Sequence, residues 1–464
     1  MCRPRGNEVK MEEKDFEELE QLLEEKKFAE LHKRFLDMNS VDIAEFLGNI
    51  DTVNLLSAFR LLPKDISAEV FSYLDTEQAE HIVRSITDKE LCRLVDDMFI
   101  DDTVDFLEEV PANVVNRVLR AADPETRKTI NKYLNYAEDT AGSIMTNEMV
   151  QLHTRYTAKQ AIENIRETAT DKETIYTCYC VDESRKLVGI VELKDLLLCD
   201  EDTKVGDIMD DKDQIISVNT SDDQEVVADL ARKYDLLSVP VTDTEGRLVG
   251  IITIDDIVDI IEQENTEDFE KMAAMRPNDD TYLKTGVFKM AKNRILWLAI
   301  LMISATFTGQ LMSSKETLLS NWVFLTTAIP MLMDTSGNAG NQVSTLMIRG
   351  LALGEIKIKD YFKVLFKEFR VAIICALMLV ILNFGRMWIM HAESGDVAQY
   401  LVVSAALFIA ILIANAIGCT LPILMKLIHL DPALMAGPMM TTILDVTTLA
   451  VYFAIAQKVL PVFS

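Results

Sequence analysis

The spacing of apolar positions divides the chain into segments of different kinds. Over residues 12–137, apolar side chains recur every 3.6 residues and prolines stand near helix starts, so this segment is predicted to be an all-α domain, a short helical superhelix. Further along, the apolar positions merge into five stretches, each long enough to cross a hydrocarbon core of about 30 Å as a helix. We expect an all-α transmembrane domain over residues 291–464, with helices at about 295–312, 319–348, 371–390, 397–425 and 433–457.

A duplicated pattern fills residues 138–262. The five residues AGSIM from Ala141 recur as VGDIM from Val205, and KLVGIVELKDLL from Lys186 recurs as RLVGIITIDDIV from Arg247. Each copy reads strand, helix, strand, strand, helix, and two copies are expected to pack together because neither buries its apolar face alone. We predict a multidomain chain whose middle part is an α+β tandem domain with units 138–200 and 201–262.

The duplicated segment resembles the CBS domain, a regulatory module that binds adenosine nucleotides. The second copy keeps the T-x-x-D pattern of that family in Thr253 and Asp256, whereas the first copy has Glu192 in place of the threonine. The resemblance therefore implies a nucleotide site on the second copy, around Val239, Pro240 and Thr253.

Charge follows the same division of the chain. The net charge is −28, and the first 285 residues hold 65 acidic against 33 basic residues, while the remainder holds 9 against 13. Such an acidic surface excludes a nucleic-acid-binding protein, which needs a basic footprint, and it favours association with cations. Basic residues border the apolar spans at 289–294, 349–370 and 426, which predicts cytoplasmic N-terminal domains and an external C-terminus.

One carboxylate, Asp445, lies at the midpoint of the fifth apolar span. An Asp at the centre of a membrane helix costs roughly 2.5–3.5 kcal/mol on insertion scales, so it normally faces a polar pathway or a partner. Gly437, Thr441 and Thr448 share a stripe with it, and oxygen donors of this kind suit magnesium or calcium. The alternatives are an ion pair with Arg386 and an ordinary packing stripe of small residues.

The second apolar span is unusually polar. Asp334 is followed by TSGNAGNQ over residues 335–342. Polar groups at membrane depth are costly unless they line a cavity or bond to neighbouring helices. The two glycines predict either close helix contact or a local unwinding.

Acidic residues also accumulate before the first apolar span. Eight acids lie between Asp255 and Glu270, in a helix that is predicted to connect the duplicated domain to the membrane over residues 263–290. A run of this density repels itself and opposes the helix dipole, so it needs divalent cations or basic partners to hold one geometry, unless it is simply solvated. Asp101 and Asp105 form a similar pair at i, i+4 in the helical domain.

The order of these parts resembles the MgtE family of magnesium channels over nearly the whole chain. The resemblance implies a homodimer in the lipid of the cytoplasmic membrane, with one pore on its two-fold axis lined by the second and fifth spans. It implies that Asp445 is the central Mg²⁺-binding carboxylate, that Gly437 and Thr441 flank it, and that Asp431 lies at the inner mouth.

The resemblance also implies regulation by the transported ion. Cytosolic Mg²⁺ would close the pore by bridging acids of the helical domain, the second CBS unit and the connecting "plug" helix, and ATP would tune this response. The implied ligands are Glu69, Asp101, Asp105, Asp223, Glu225, Asp235, Asp256, Asp259, Glu264, Glu267 and Asp268.

Two other functions fit parts of the sequence. Oxygen ligands leave open a manganese or cobalt transporter on the same scaffold. A membrane-anchored nucleotide sensor that conducts nothing would explain the CBS pair, but it leaves Asp445 without a role. An enzyme is not expected, because the sequence has no nucleophile–base constellation, P-loop or metal-hydrolase motif.

Overall fold

A computed structural model describes residues 13–64, 66–211, 215–278, 282, 285–390 and 397–463. The predicted domain borders at residues 12 and 464 lie outside these ranges. The chain divides into two compact units, one up to Ile261 and one from Glu262 onward. Each unit is described by itself below.

The first unit begins with short helices. Polar residues start several of them: Asn39 and Asp51 accept hydrogen bonds from backbone N–H groups of the next turn, and Thr87 forms a capping box with Glu90. Their apolar faces share one core that includes Phe35, Phe46 and other fully buried side chains. The helices are α1 (Glu13–Glu24), α2 (Phe28–Asp37), α3 (Ser40–Asn49), α4 (Thr52–Phe59), α5 (Ser67–Ser72), α6 (Thr76–Ser85), α7 (Asp88–Asp97), α8 (Ile100–Glu109), α9 (Ala112–Ala121) and α10 (Pro124–Tyr133).

Two small sheets follow: the first is built from the first copy of the duplicated pattern plus strand β4 of the second copy, and the second sheet belongs to the second copy. The first has the strand order β1-β2-β3-β4 and the second β5-β6-β7, and in both the first pair is parallel and the second antiparallel. A buried 2.6 Å hydrogen bond between Tyr179 and Ser238 joins the two copies. The elements are β1 (Met149–His153), α11 (Ala158–Thr168), β2 (Thr174–Val181), β3 (Leu187–Glu192), α12 (Leu193–Leu198), α13 (Val205–Ile208), β4 (Asp210–Asp211), β5 (Val218–Asn219), α14 (Gln224–Tyr234), β6 (Ser238–Thr242), β7 (Leu248–Thr253) and α15 (Ile254–Met272).

The second unit begins within α15 and is otherwise built of long helices. They are α16 (Val287–Ser313), the short α17 (Glu316–Asn321), α18 (Val323–Ala352), α19 (Tyr361–Met390), α20 (Val397–Leu427) and α21 (Gly437–Phe463), with a 3₁₀ turn at Pro432–Met435. In the part of the chain that the structure describes, three helices are identified as long and apolar enough to cross a membrane: Val287–Ser313, Val397–Leu427 and Gly437–Leu460. The prediction of five spans remains a prediction.

The predicted fold class is confirmed: a helical domain, a tandem α+β domain with small sheets, and a helical C-terminal region with apolar helices. Three local expectations differ from the structure. The second apolar span is one unbroken α-helix through Pro330 and residues 335–342, so the glycines there do not unwind it. Helix α15 ends at Met272, well inside the predicted connecting helix, and α21 starts at Gly437 because Pro432–Met435 forms a separate turn.

Candidate functional site

Asp445 lies in the first half of α21, eight residues after the start of the helix at Gly437. Its side chain is half-buried and makes no hydrogen bond or ion pair with any residue that the structure describes. One turn earlier, the hydroxyl of Thr441 donates to the Pro438 carbonyl at 2.9 Å, so that hydroxyl is used within the helix. The carboxylate of Asp445 is thus available to a ligand.

The alternative ion pair with Arg386 is absent among the residues that the structure describes. Arg386 donates a 2.9 Å hydrogen bond to Asn383, one turn earlier in its own helix α19. That alternative for Asp445 is therefore not supported.

Small residues bring α18 and α21 together. A methyl group at Gly337 would lie 3.2 Å from Thr441 Cγ2, and one at Gly340 would overlap the side chain of Leu444. The glycines of residues 335–342 thus serve close helix packing, which was one of the two expectations. This contact positions α18 beside the stripe that carries Asp445.

The other face of α18 is polar and exposed in the single chain. Asp334, Asn338 and Gln342 are exposed along one side of a 30-residue helix, and the carbonyl oxygen of the Asn341 side chain is buried without a hydrogen-bond partner among the described residues. Hydrocarbon does not solvate carboxylates and amides. This face therefore requires water or another polar surface.

Asp431 lies just before α21, in a contact with α15. One carboxylate oxygen accepts a 2.8 Å hydrogen bond from the Ala433 N–H, which caps the 3₁₀ turn, and the other pairs with Lys271 at 2.7 Å. Gly437 has a positive φ of 53° and lies directly against the Met272 carbonyl oxygen. Asp431 and Gly437 therefore contact the end of α15 rather than standing free.

In the first unit, the structure brings Asp101, Asp105 and Asp256 into one electrostatic cluster. Burial and the neighbouring charge of Asp256 hold the pKa of Asp101 well above its usual range. The same two causes raise the pKa of Asp105 to about 7, although its side chain reaches solvent. Burial and the charge of Asp255 raise the pKa of Asp256 to about 6. The helical domain and the second CBS unit thus face each other with acids that repel.

Sequence reasoning missed three members of this acidic cluster. Burial raises the pKa of Glu173 to about 8, and the charges of Asp255 and Asp102 add to the effect. The pKa of Asp102 itself is raised to about 6 by burial and by Asp255. Glu173 precedes β2 and belongs to no sequence pattern, so only the folded chain shows that it joins the cluster. Asp102 and Asp255 belong to acidic runs, but the expected ligands in those runs were their neighbours Asp101 and Asp256.

The other predicted regulatory acids lie at separate positions and do not join this cluster. Asp223 caps α14 through a 2.9 Å bond from the Glu225 N–H, and Asp235 ends α14 in a left-handed conformation. Glu69 and Asp259 are exposed. Glu264, Glu267 and Asp268 belong to the part of α15 in the second unit. Within the described residues, no three acidic, histidine or cysteine side chains come close enough together to hold a metal ion.

The predicted nucleotide residues lie together on the second sheet. Val239 and Pro240 are buried on β6, which pairs with β7, and β7 ends at Thr253. The Thr253 hydroxyl donates to Asp256 Oδ2 at 2.9 Å, so the T-x-x-D pattern forms a hydrogen bond at the start of α15.

Comparison with known proteins agrees with this architecture. The MgtE family model, described as a divalent cation transporter, matches residues 329–455. The MgtE intracellular N domain matches residues 38–139, and the CBS domain matches residues 141–201 and 205–263.

Individual relatives extend the similarity over almost the entire chain. The magnesium transporter MgtE of Thermus thermophilus is 34% identical over 454 residues, which cover 97% of this chain and 99% of the relative. The solved soluble part of a magnesium transporter is 31% identical with a TM-score of 0.52, covering 54% of this chain and 98% of that structure. The solved cytosolic domain of the Mg²⁺ channel MgtE in complex with ATP is 34% identical with a TM-score of 0.50, covering 52% and 98%.

Proposed function

Since this chain belongs to the MgtE family of divalent cation transporters, we propose that it imports Mg²⁺ across the cytoplasmic membrane as a homodimer with one pore on its two-fold axis. The relatives named above are magnesium transporters, a family without enzymatic activity, and CBS domains are regulatory. In this proposal the N-terminal domains are cytoplasmic, the membrane is crossed five times and the C-terminus is external.

The observation that carries the pore proposal is the unpartnered carboxylate of Asp445 beside a helix with an exposed polar face. Asp334, Asn338 and Gln342 on α18 cannot face lipid without a large cost, and a second copy with water between the two would satisfy them. Mg²⁺ dehydrates reluctantly, so two symmetry-related Asp445 side chains would hold it mainly through its water shell. Few direct ligands also allow the ion to leave.

Closure by cytosolic Mg²⁺ is supported by the repelling acids of the first unit. Beside burial, the charge of Asp256 raises the pKa of Asp101 and of Asp105, and the charges of Asp255 and Asp102 raise that of Asp256. A divalent cation among these carboxylates would remove the repulsion. Their oxygens suit Mg²⁺, and a hydrated ion bridges carboxylates that do not converge on one point. Because Mg²⁺ binds more tightly when these acids lie close together, a high Mg²⁺ concentration favours the arrangement in which the domains are packed against each other. We propose the same role for Glu69, Asp223, Glu225, Asp235, Asp259, Glu264, Glu267 and Asp268, and we add Glu173.

A regulatory role for ATP rests on the second CBS unit. A solved relative holds ATP in its cytosolic domain, and the equivalent domain here has Val239, Pro240 and Thr253 on adjacent strands. ATP bound there would contact the start of α15, where Asp256 lies. The nucleotide would then lie beside one of the proposed Mg²⁺ ligands.

Flux of Mg²⁺ through the reconstituted protein tests the function. Liposomes that contain the full chain should take up Mg²⁺. Uptake should fall as the Mg²⁺ concentration rises on the side of the membrane that holds the N-terminal domains. The substitution Asp445→Asn should abolish uptake. Glu316→Gln, an exposed acid in α17, is the matched control and should leave uptake intact. Full uptake in Asp445→Asn would refute the pore assignment. Uptake of Mn²⁺ or Co²⁺ in preference to Mg²⁺, or no ion flux with tight nucleotide binding, would favour the other two functions.

A further inference from the structure

The end of α15 is held to the segment before α21 by a charge pair. Lys271, in the last turn of α15, places its ammonium 2.7 Å from Asp431 Oδ2 and 2.7 Å from Glu267 Oε1. Both the lysine and Asp431 are partly withdrawn from solvent, with side-chain exposures of 22% and 31%. These residues all belong to the second unit.

Both oxygens of Asp431 are already in use. Oδ2 pairs with Lys271, while Oδ1 accepts the Ala433 N–H at 2.8 Å and so caps the 3₁₀ turn. A cation that bound Asp431 directly would therefore have to displace either a backbone cap or the lysine. Displacing the lysine breaks no secondary structure.

The backbone around this pair is fitted closely. The Met272 carbonyl oxygen lies against the α-carbon of Gly437, and a β-carbon there would overlap it. Ala274 takes a positive φ of 53°, and its N–H bonds to the Lys271 carbonyl at 2.9 Å, so the helix ends at this place. The Asn278 N–H then donates to the Glu270 side chain at 2.8 Å.

The lysine keeps its charge in this setting. Its ammonium lies 2.7 Å from a carboxylate oxygen of Asp431 and 2.7 Å from one of Glu267, and two negative charges at this distance stabilise the ammonium. The negative end of the α15 dipole also favours a cation in its last turn. A divalent cation approaching Asp431 would meet this positive charge at contact distance.

We propose that Lys271 is a tethered cation that occupies Asp431 and thereby holds the end of α15 against the start of α21, so that a divalent ion and the lysine compete for one carboxylate. This inference rests on the proposed function and on the expectation from the sequence that Asp431 lies at the inner mouth of the pore. The bound lysine stabilises the non-conducting arrangement in addition to Mg²⁺ on the regulatory acids. Removing it should therefore make closure require more Mg²⁺.

Hydrogen exchange of the full chain without divalent ions tests the contact itself. The amides of Ala273, Ala274 and Met275 bond back into the last turn of α15. Lys271→Met should speed their exchange about threefold or more, Lys271→Arg should keep it slow, and Asp431→Asn should speed it as Lys271→Met does. Because the pair is one interaction, the double variant should exchange no faster than either single variant. Lys292→Met, which removes an exposed positive charge from α16, is the control.

Flux then tests the functional consequence. In liposomes, the Mg²⁺ concentration that half-inhibits uptake should rise about threefold or more in Lys271→Met and stay near wild type in Lys271→Arg and Lys292→Met. Absence of Mg²⁺ flux in the wild type would overturn the proposed function, while the exchange result still decides the contact. Unchanged exchange in Lys271→Met, or unchanged half-inhibition in a conducting protein, would overturn this inference.

Discussion

The Thr448 hydroxyl on α21 donates a 2.7 Å hydrogen bond to Ser336 Oγ on α18, and both side chains are buried. The Ser336 hydroxyl in turn donates a 3.0 Å hydrogen bond to the Met333 carbonyl oxygen. Thr448 shares the sequence stripe of Asp445, yet it joins two helices and does not face an open pathway. Residues of this stripe therefore have two different roles: Thr448 packs α21 against α18, whereas Asp445 offers a carboxylate to a ligand.

Removing this interhelical bond should weaken the fold and leave ion selectivity unchanged. Thr448→Val should lower the free energy of unfolding by about 0.6 kcal/mol, the average for such bonds in membrane proteins, and Ser336→Ala should add little in the double variant. Thermal unfolding of the solubilised chain measures this. Thr447→Val is the matched control, because among the described residues that hydroxyl donates to the Ile443 and Leu444 carbonyls of its own helix. Altered Mg²⁺ selectivity in Thr448→Val would show that the residue lines the pathway after all.

Contact between α18 and α20 depends on the absence of a side chain at Gly418. A methyl group there would lie 2.6 Å from the Gly340 carbonyl oxygen, and backbone atoms in a packed helix pair cannot move aside. Gly418→Ala should therefore destabilise the chain by about 1–3 kcal/mol. Gly309→Ala on α16, where nothing lies within 4 Å, should be neutral or slightly stabilising. Equal melting temperatures for the two variants would contradict the packing described.

The sequence predicted the elements of this fold better than the contacts between them. Periodicity, repeats and apolar runs identify the three kinds of domain, because each depends on local spacing. The isolated position of Asp445 likewise follows from one residue in an apolar run. Glu173 and Lys271 could not be selected in this way, since their roles arise from partners more than 80 residues away in the sequence, Asp255 and Asp431. The burial of Thr448 could not be predicted either, because helical spacing shows which residues share a face but not which helix that face packs against.

The nucleotide proposal depends on the hydroxyl of Thr253. It donates to Asp256 in this structure, and the side chain is 5% exposed at the edge of the second sheet. If ATP binds beside it, Thr253→Val should weaken ATP binding about tenfold, the effect of losing roughly 1.4 kcal/mol. Calorimetric titration of the full chain measures the affinity. Thr242→Val, whose hydroxyl bonds the Val218 carbonyl on the same sheet, should bind ATP normally. An unchanged affinity in Thr253→Val would move the nucleotide site elsewhere.

The acidic cluster predicts a pH dependence that divalent ions should remove. The pKa values of Asp102 and Asp256, about 6, and of Glu173, about 8, lie above those of an unfolded chain, so the folded unit binds protons more tightly. Stability should therefore fall as pH rises from about 5 to about 8 when Mg²⁺ is absent, because these groups then ionise beside one another. Added Mg²⁺ should restore protection at pH 8 by neutralising the carboxylates.

Hydrogen exchange of α8 and the start of α15 in the full chain measures both the pH dependence and its removal by Mg²⁺. Glu173→Gln should reduce the pH dependence, whereas Glu167→Gln, an exposed acid on α11, should not. Stability that rises with pH across this range would contradict the clustering of these acids.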